Sequence, residues 1–194
     1  MDIEIRLLKP AELDLYAQVP CAFQVNTLLT VEPIAGGLEG LRMREEAVVP
    51  PYVKDYDASG EDTPTDWPRI FDVRNWGFLL ACSGALPVAG AAVAWRTPGV
   101  HMLANRDDMA VLWDIRVHPN FRRQGVGKRI FWRAADWARE QGARLLKIET
   151  QNVNVRACHF YRQQGCHLGE IDCYGYAGHP QVAHEVMLIW YLDL

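Results

Sequence analysis

Residues 110–150 constrain the fold more than any other part of the chain. A strand pattern at 110–117 runs into "HPNFRRQGVG", which opens an amphipathic helix from Gly125 to Gln141, and a second strand pattern follows at 144–150. Within the helix Val126, Ile130, Ala134, Trp137 and Ala138 recur at helical spacing, and Gly142 supplies the stop. A second helix runs from its cap Asn154 to Gln164, is closed by Gly165, and precedes two more strands. Strand, glycine turn, helix, strand, capped helix, strand, strand predicts a mixed α/β sheet.

The turn has a chemistry of its own. Unpaired N–H groups at a helix start form an anion site, because the dipole and the free donors point the same way. Glycine at 125 and 127 removes the Cβ atoms that would hold a diphosphate away from those amides. Arg122, Arg123, Lys128 and Arg129 surround the turn with positive charge. Two familiar phosphate loops are excluded. A Walker loop would need glycine at 122 and Ser or Thr at 129, where Arg122 and Arg129 stand; a dinucleotide fingerprint would need a third glycine at 130, where Ile130 stands.

Further strand patterns fall at 3–8, 24–32, 38–47, 77–82, 88–96, 167–173 and 185–191, while 50–72, rich in Pro, Asp and Gly, reads as a loop or short helix. No repeat or long linker interrupts the 194 residues, so one domain is expected over 1–194. Residues 1–75 would form N-terminal strands and an acidic substrate-side segment, 76–173 a ligand-binding core, and 174–194 a C-terminal strand. The first ten residues alternate apolar and polar and carry acids, as a strand does and a signal peptide does not. No apolar run approaches the ~20 residues of a membrane span. The five cysteines are scattered and never form a CxxC pair, which predicts reduced, mostly buried thiols in a cytoplasmic protein. The six histidines lack paired ligand spacing, and no metal is expected.

The net charge of −4 is unevenly spread. Residues 45–72 hold eight acids (Glu45, Glu46, Asp55, Asp57, Glu61, Asp62, Asp66, Asp72) and two bases; residues 116–164 hold eleven bases and three acids. This split suits a protein that holds an anion at one end and a cation at the other. Nucleic acid fits less well, because the overall charge is acidic and the bases gather around a turn. Trp67, Trp76, Trp95 and Trp113 could line an amine pocket, although such residues more often form core.

"LWDIRVHPNFRRQGVGKRIF" resembles the pyrophosphate loop of the GNAT superfamily of acyl-CoA-dependent N-acyltransferases, with Arg122, Gly125 and Gly127 in the signature positions. "NVNVRACHFYRQQGC" resembles that family's second motif, through Asn154, Ala157, Phe160, Tyr161 and Gly165. The two motifs cover roughly 76–173. The resemblance implies a twisted mixed sheet whose fourth and fifth strands splay apart. It implies acetyl-CoA as co-substrate, with Ile115, Arg116 and Val117 along the pantetheine and acyl carbonyl. The amides of Arg123, Gln124, Gly125, Val126, Gly127 and Lys128 would lie on the diphosphate, beside Arg122, and Asn154, Ala157 and Tyr161 near the thiol.

The implied reaction is direct transfer of acetyl to a primary amine. It needs a base, for which Glu149 and Asp114 are candidates, and an acid for the departing thiolate, for which Tyr161 is the candidate. Each carboxylate could equally be the structural partner of a neighbouring base, and Tyr161 could be a core aromatic. The backbone N–H of Val117 is the implied oxyanion donor. Within the family, "PPYVKDYD", "FDVRNWG" and "LKIETQN" are similar to streptothricin acetyltransferases, and the acidic segment would suit their polycationic substrate. The expected partner is therefore a small cationic amine, with no nucleic acid or membrane, in a monomer or homodimer. A protein or peptide N-acetyltransferase and a non-catalytic acyl-CoA sensor are the alternatives.

Overall fold

The computed structural model describes residues 2–58, 60 and 62–194. Strands β1 (Glu4–Leu8), β2 (Ala22–Pro33), β3 (Leu41–Asp55), β4 (Gly77–Ser83), β5 (Leu86–Ala94), β6 (Met109–Val117), β7 (Leu145–Gln151), β8 (His167–Asp172) and β9 (Met187–Asp193) are joined by helices and turns. The α-helices are α1 (Leu13–Ala17), α2 (Trp67–Ile70), α3 (Val126–Glu140) and α4 (Val155–Gln163). Strand order is β1-β4-β5-β6-β7-β9-β8 in a seven-stranded sheet, with β2 and β3 as a two-stranded ribbon. β6 and β7 run parallel, whereas β1, β4, β5 and β6 pair antiparallel, so the sheet is mixed as expected.

The chain falls into two compact units. The first holds residues up to 22, 55–148 and 193–194; the second holds 23–54 and 149–192, and β7 runs from one into the other. In the first unit β4 and β5 are buried almost throughout, and the small residues of "LPVAGAAVA" allow close approach from both faces. α3 packs on β4, β5 and β6 through an apolar stripe that includes Val126, Ile130, Phe131, Ala134 and Trp137. At Gly77 the Trp137 indole lies so close that a Cβ would meet a ring carbon at 2.5 Å. Phe78 and Leu80 alternate to the other face, where they join Tyr16, Trp67 and Trp76. Gly90 admits the Tyr16 ring there on the same terms, 2.5 Å from a built Cβ.

The tryptophans are core residues. Trp67 stacks on Phe78 with centroids 6.0 Å apart, and its indole N–H donates to the Asp62 carbonyl. Trp76 donates to Thr97 Oγ1, Trp95 is buried, and Trp113 packs against Phe71 and Trp76. Trp67, Trp76 and Trp95 are buried and Trp113 is half-buried.

The nine expected strands are all present. The segment at 50–72 departs from expectation, because β3 continues through Pro50 and Pro51 to Asp55. The outer edge of a two-stranded ribbon tolerates a residue without an N–H, which accounts for one of the two adjacent prolines, since their ring nitrogens point to opposite edges of β3. α1 was not foreshadowed; five residues are too few to display a helical period.

In the second unit β8 pairs antiparallel with β9 from His167↔Tyr191 to Asp172↔Met187. Asn152 binds three segments together. Its side chain donates to the Leu29 carbonyl at 3.0 Å and accepts from the Val186 N–H at 2.9 Å, while its backbone exchanges bonds with both residues. Lys54 and Glu185 form an ion pair that is largely buried. All five cysteines are free, with Cys158 and Cys166 buried, Cys21 and Cys82 half-buried and Cys173 exposed, so burial is less uniform than expected. No described helix is long and apolar enough to cross a membrane.

Candidate active site

The glycine turn leaves β6 at Val117 and enters α3 at Val126. Arg123 has φ 60° and Gly125, the N-cap of α3, has φ 82°, so the backbone passes twice through the left-handed region. Such alternation turns successive N–H groups to one side, the nest arrangement that receives anions. Phe121 and Arg122 N–H groups bond within the preceding turn, and the first α3 bond runs from Arg129 N–H to the Gly125 carbonyl. Between them, no described residue accepts a hydrogen bond from the amides of Arg123, Gln124, Gly125, Val126, Gly127 or Lys128. Six consecutive donors at the start of a 15-residue helix fit a diphosphate.

The four bases divide two and two. Arg122 donates to the carbonyls of Val117 and Ala22, and Arg129 to that of Ile3, so both brace the turn from within the protein. Gln124 ties the same turn back to the Asn120 carbonyl. Arg123 and Lys128 are exposed beside the free amides, and no described residue pairs with their side chains.

β6 passes through a bulge and then leaves one edge without a registered strand partner. The register passes from Ala92↔Asp114 to Val93↔Leu112, leaving Trp113 as an extra residue in a bulge. His118 N–H donates to the Val88 carbonyl, which puts 118, 116 and 114 in the pairs that bond to β5. By alternation the peptide groups of Ile115 and Val117 face the opposite edge, while Arg116 faces β5. Registered pairing of β6 with β7 ends at Leu112↔Ile148, before either residue is reached.

Asp114 and Arg116 belong to a buried network. Arg116, 4% exposed, donates to both Asp114 oxygens at 2.9 Å, to both Asp57 oxygens at 2.8 and 3.2 Å, and to the Val19 carbonyl at 3.1 Å. Tyr16 donates to Asp114 Oδ1 at 2.5 Å, with the Arg116 guanidinium over its ring. Burial, reinforced by the Asp114 charge, pushes the Tyr16 pKa well above its ordinary value. Burial works against the charged Arg116, but the Asp114 carboxylate outweighs it and the guanidinium is held protonated. Asp57, read from sequence as an attractor of cations, is thus the partner of an arginine. Glu45, Asp66 and Asp72 likewise accept from Thr27, Thr63 and Arg74, and Glu61 lies outside the described residues.

In the second unit, Glu149 Oε1 accepts from the Tyr176 hydroxyl at 2.6 Å, and that hydroxyl accepts from Gln151 Nε2 at 2.8 Å. Asn154 Oδ1 caps α4 by accepting from the Ala157 N–H at 3.2 Å, so its side chain first serves the helix. Ala157 is half-buried on the same first turn. Tyr161 is 5% exposed and packs near Trp190, whose buried indole N–H has no acceptor among the described residues. Burial pushes the thiols of Cys158 and Cys166 up to about 12, so neither is a thiolate nucleophile near neutral pH.

A family model described as the acetyltransferase (GNAT) family matches residues 42–166. The chain belongs to the GNAT acetyltransferases. The match begins well before the two motifs, within β3. The chain is 34% identical over 151 residues to streptothricin acetyltransferase A of Bacillus subtilis (strain 168), covering 76% of each chain. It is 28% identical to the streptothricin acetyltransferase of Streptomyces lavendulae, covering 90% of this chain and 87% of that one. Among solved structures, a candidate streptothricin acetyltransferase from Bacillus anthracis str. Ames in complex with acetyl coenzyme A superposes with TM-score 0.78 at 27% identity, over all of both chains.

This GNAT protein is an acetyl-CoA-dependent N-acetyltransferase. Sequence reasoning passed over Tyr16, Asn152, Tyr176 and Trp190. Tyr16, Asn152 and Tyr176 hydrogen-bond to residues distant along the chain and Trp190 packs near Tyr161, contacts that no local period or cap signals.

Proposed function

We propose that the enzyme acetylates a primary amine of a streptothricin-type antibiotic. The observation that carries this reading is the pair of streptothricin acetyltransferase relatives, matched over three quarters or more of the chain. The six free amides of the turn support the co-substrate, acetyl-CoA, which supplies the acetyl group. The amides at 123–128 would hold its diphosphate with Arg123 and Lys128 at the rim, and the peptide edge of Ile115 and the Val117 N–H would receive its pantetheine and acyl carbonyl, the Val117 carbonyl being held by Arg122. Asn154 and Ala157 would flank the thiol end.

An alkyl ammonium has a pKa near 10.4, so at pH 7 only ~1 in 2,500 is neutral, a barrier of about 4.6 kcal/mol. In our reading Glu149 takes the ammonium proton, directly or through a water. The amine nitrogen then attacks the acetyl carbonyl carbon, the Val117 N–H steadies the oxyanion, and the carbon–sulfur bond breaks. Tyr161 donates its proton to the departing thiolate and is restored by the proton the new amide nitrogen sheds. Glu149 is preferred to Asp114, whose two oxygens already accept three side-chain donors.

Thiol release from acetyl-CoA with streptothricin, polyamines, aminoglycosides and peptides tests the reading. Turnover should be highest with streptothricin; turnover confined to peptides would favour a protein acetyltransferase, and none with any amine a sensor. Tyr161→Phe should lower kcat by about 10²-fold or more while leaving acetyl-CoA affinity in place, and wild-type turnover would return Tyr161 to the core.

A further inference from the structure

Glu149 and Gln151 are two residues apart on β7, so their side chains leave the same face of the strand. A single phenol reaches both. Tyr176 comes from the connection between β8 and β9 and is 9% exposed. Gln151 Nε2 can only donate, so it occupies a lone pair of the Tyr176 oxygen, and the one hydroxyl proton goes to Glu149 Oε1. Each bond in such a chain polarises the next. No described residue donates to Glu149 Oε2.

The connection that carries Tyr176 is fixed along its length. Tyr174 N–H donates to Asp172 Oδ1, His179 N–H to the Tyr176 carbonyl and Glu185 N–H to the Val182 carbonyl. Glu185 pairs with Lys54 of β3, and Val186 exchanges hydrogen bonds with Asn152. A Cβ at Gly175 would meet Met187 at 3.0 Å, so the backbone beside Tyr176 lies close against β9. The phenol is therefore presented by a braced segment.

We propose that Tyr176 is a positioning residue for the acetyl transfer: with Gln151 it clamps Glu149 Oε1 and leaves Oε2 directed to the incoming ammonium. A free glutamate side chain turns about three bonds, and the clamp selects one orientation before substrate arrives. The inference rests on the reading of Glu149 as base. It adds a role to a residue outside both family motifs.

The test is steady-state kinetics with acetyl-CoA and streptothricin, read as thiol release, on Tyr176→Phe, Gln151→Met, Glu149→Gln and the double variant Tyr176→Phe/Glu149→Gln. Tyr176→Phe should lower kcat by roughly 10- to 100-fold, the scale of a lost hydrogen bond to a charged group, with KM for acetyl-CoA within about twofold. Gln151→Met, which leaves the phenol in place, should lower kcat several-fold in the same pattern. In the Glu149→Gln background, Tyr176→Phe should cause no further loss. Wild-type kcat in Tyr176→Phe, or losses that multiply in the double variant, would overturn the positioning role while leaving Glu149 as base. Wild-type turnover in Glu149→Gln would remove the base itself, and the positioning role with it.

Discussion

Replacing Arg116 by methionine tests what holds the turn after β3 against β6. The aliphatic stem is kept and five hydrogen bonds are removed, two to Asp114, two to Asp57 and one to the Val19 carbonyl. Breaking one side of a buried ion pair costs about 3–5 kcal/mol, because the remaining charge is left desolvated. Side-chain exposure is 14% at Asp114 and 30% at Asp57, so water offsets part of that and the lower end, about 3 kcal/mol, is expected. In a chain of this size each kcal/mol moves Tm by roughly 2–4 °C, giving a fall of about 6–12 °C. Urea unfolding and calorimetry measure both quantities. Asp57→Asn should cost only about 1 kcal/mol, and Arg116→Met/Asp114→Leu should cost about 1–3 kcal/mol less than the sum of its parts. A loss below about 1 kcal/mol in Arg116→Met would refute the account of this network.

Gly127→Val should weaken acetyl-CoA binding at least about tenfold by calorimetry, since a branched side chain would stand among the free amides; unchanged affinity would mean that the diphosphate lies elsewhere. The raised pKa of Tyr16 gives a pH dependence with a definite sign. The folded state holds the phenol proton more tightly, so this contribution is whole below about pH 10 and is lost as pH rises through the folded pKa. Urea unfolding between roughly pH 9 and 11 should show a shallower decline in Tyr16→Phe than in the wild type, and equal slopes would contradict the burial argument.

What the chain reveals before folding follows the range of the interaction. The phosphate turn is legible because its parts are local: glycines, a helix start and adjacent bases. The α4 cap is legible for the same reason, with Asn154 three residues before its partner Ala157. Arg122 and Arg129 carry no local sign that they reach the carbonyls of Ala22 and Ile3, 100 and 126 residues away. Prolines at 50 and 51 suggested a loop, yet the ribbon accommodates them. Asp114 offered no local sign of being held by Tyr16, which lies 98 residues earlier. The Tyr176–Glu149 contact spans 27 residues and obeys no period.

Backbone NMR of the ¹⁵N-labelled protein during titration with coenzyme A addresses the phosphate turn most directly. The amide signals of residues 123–128 should move farthest, and acetyl-pantetheine, which lacks the diphosphate, should leave them nearly in place. Saturable binding of coenzyme A with those six signals unmoved would contradict the account.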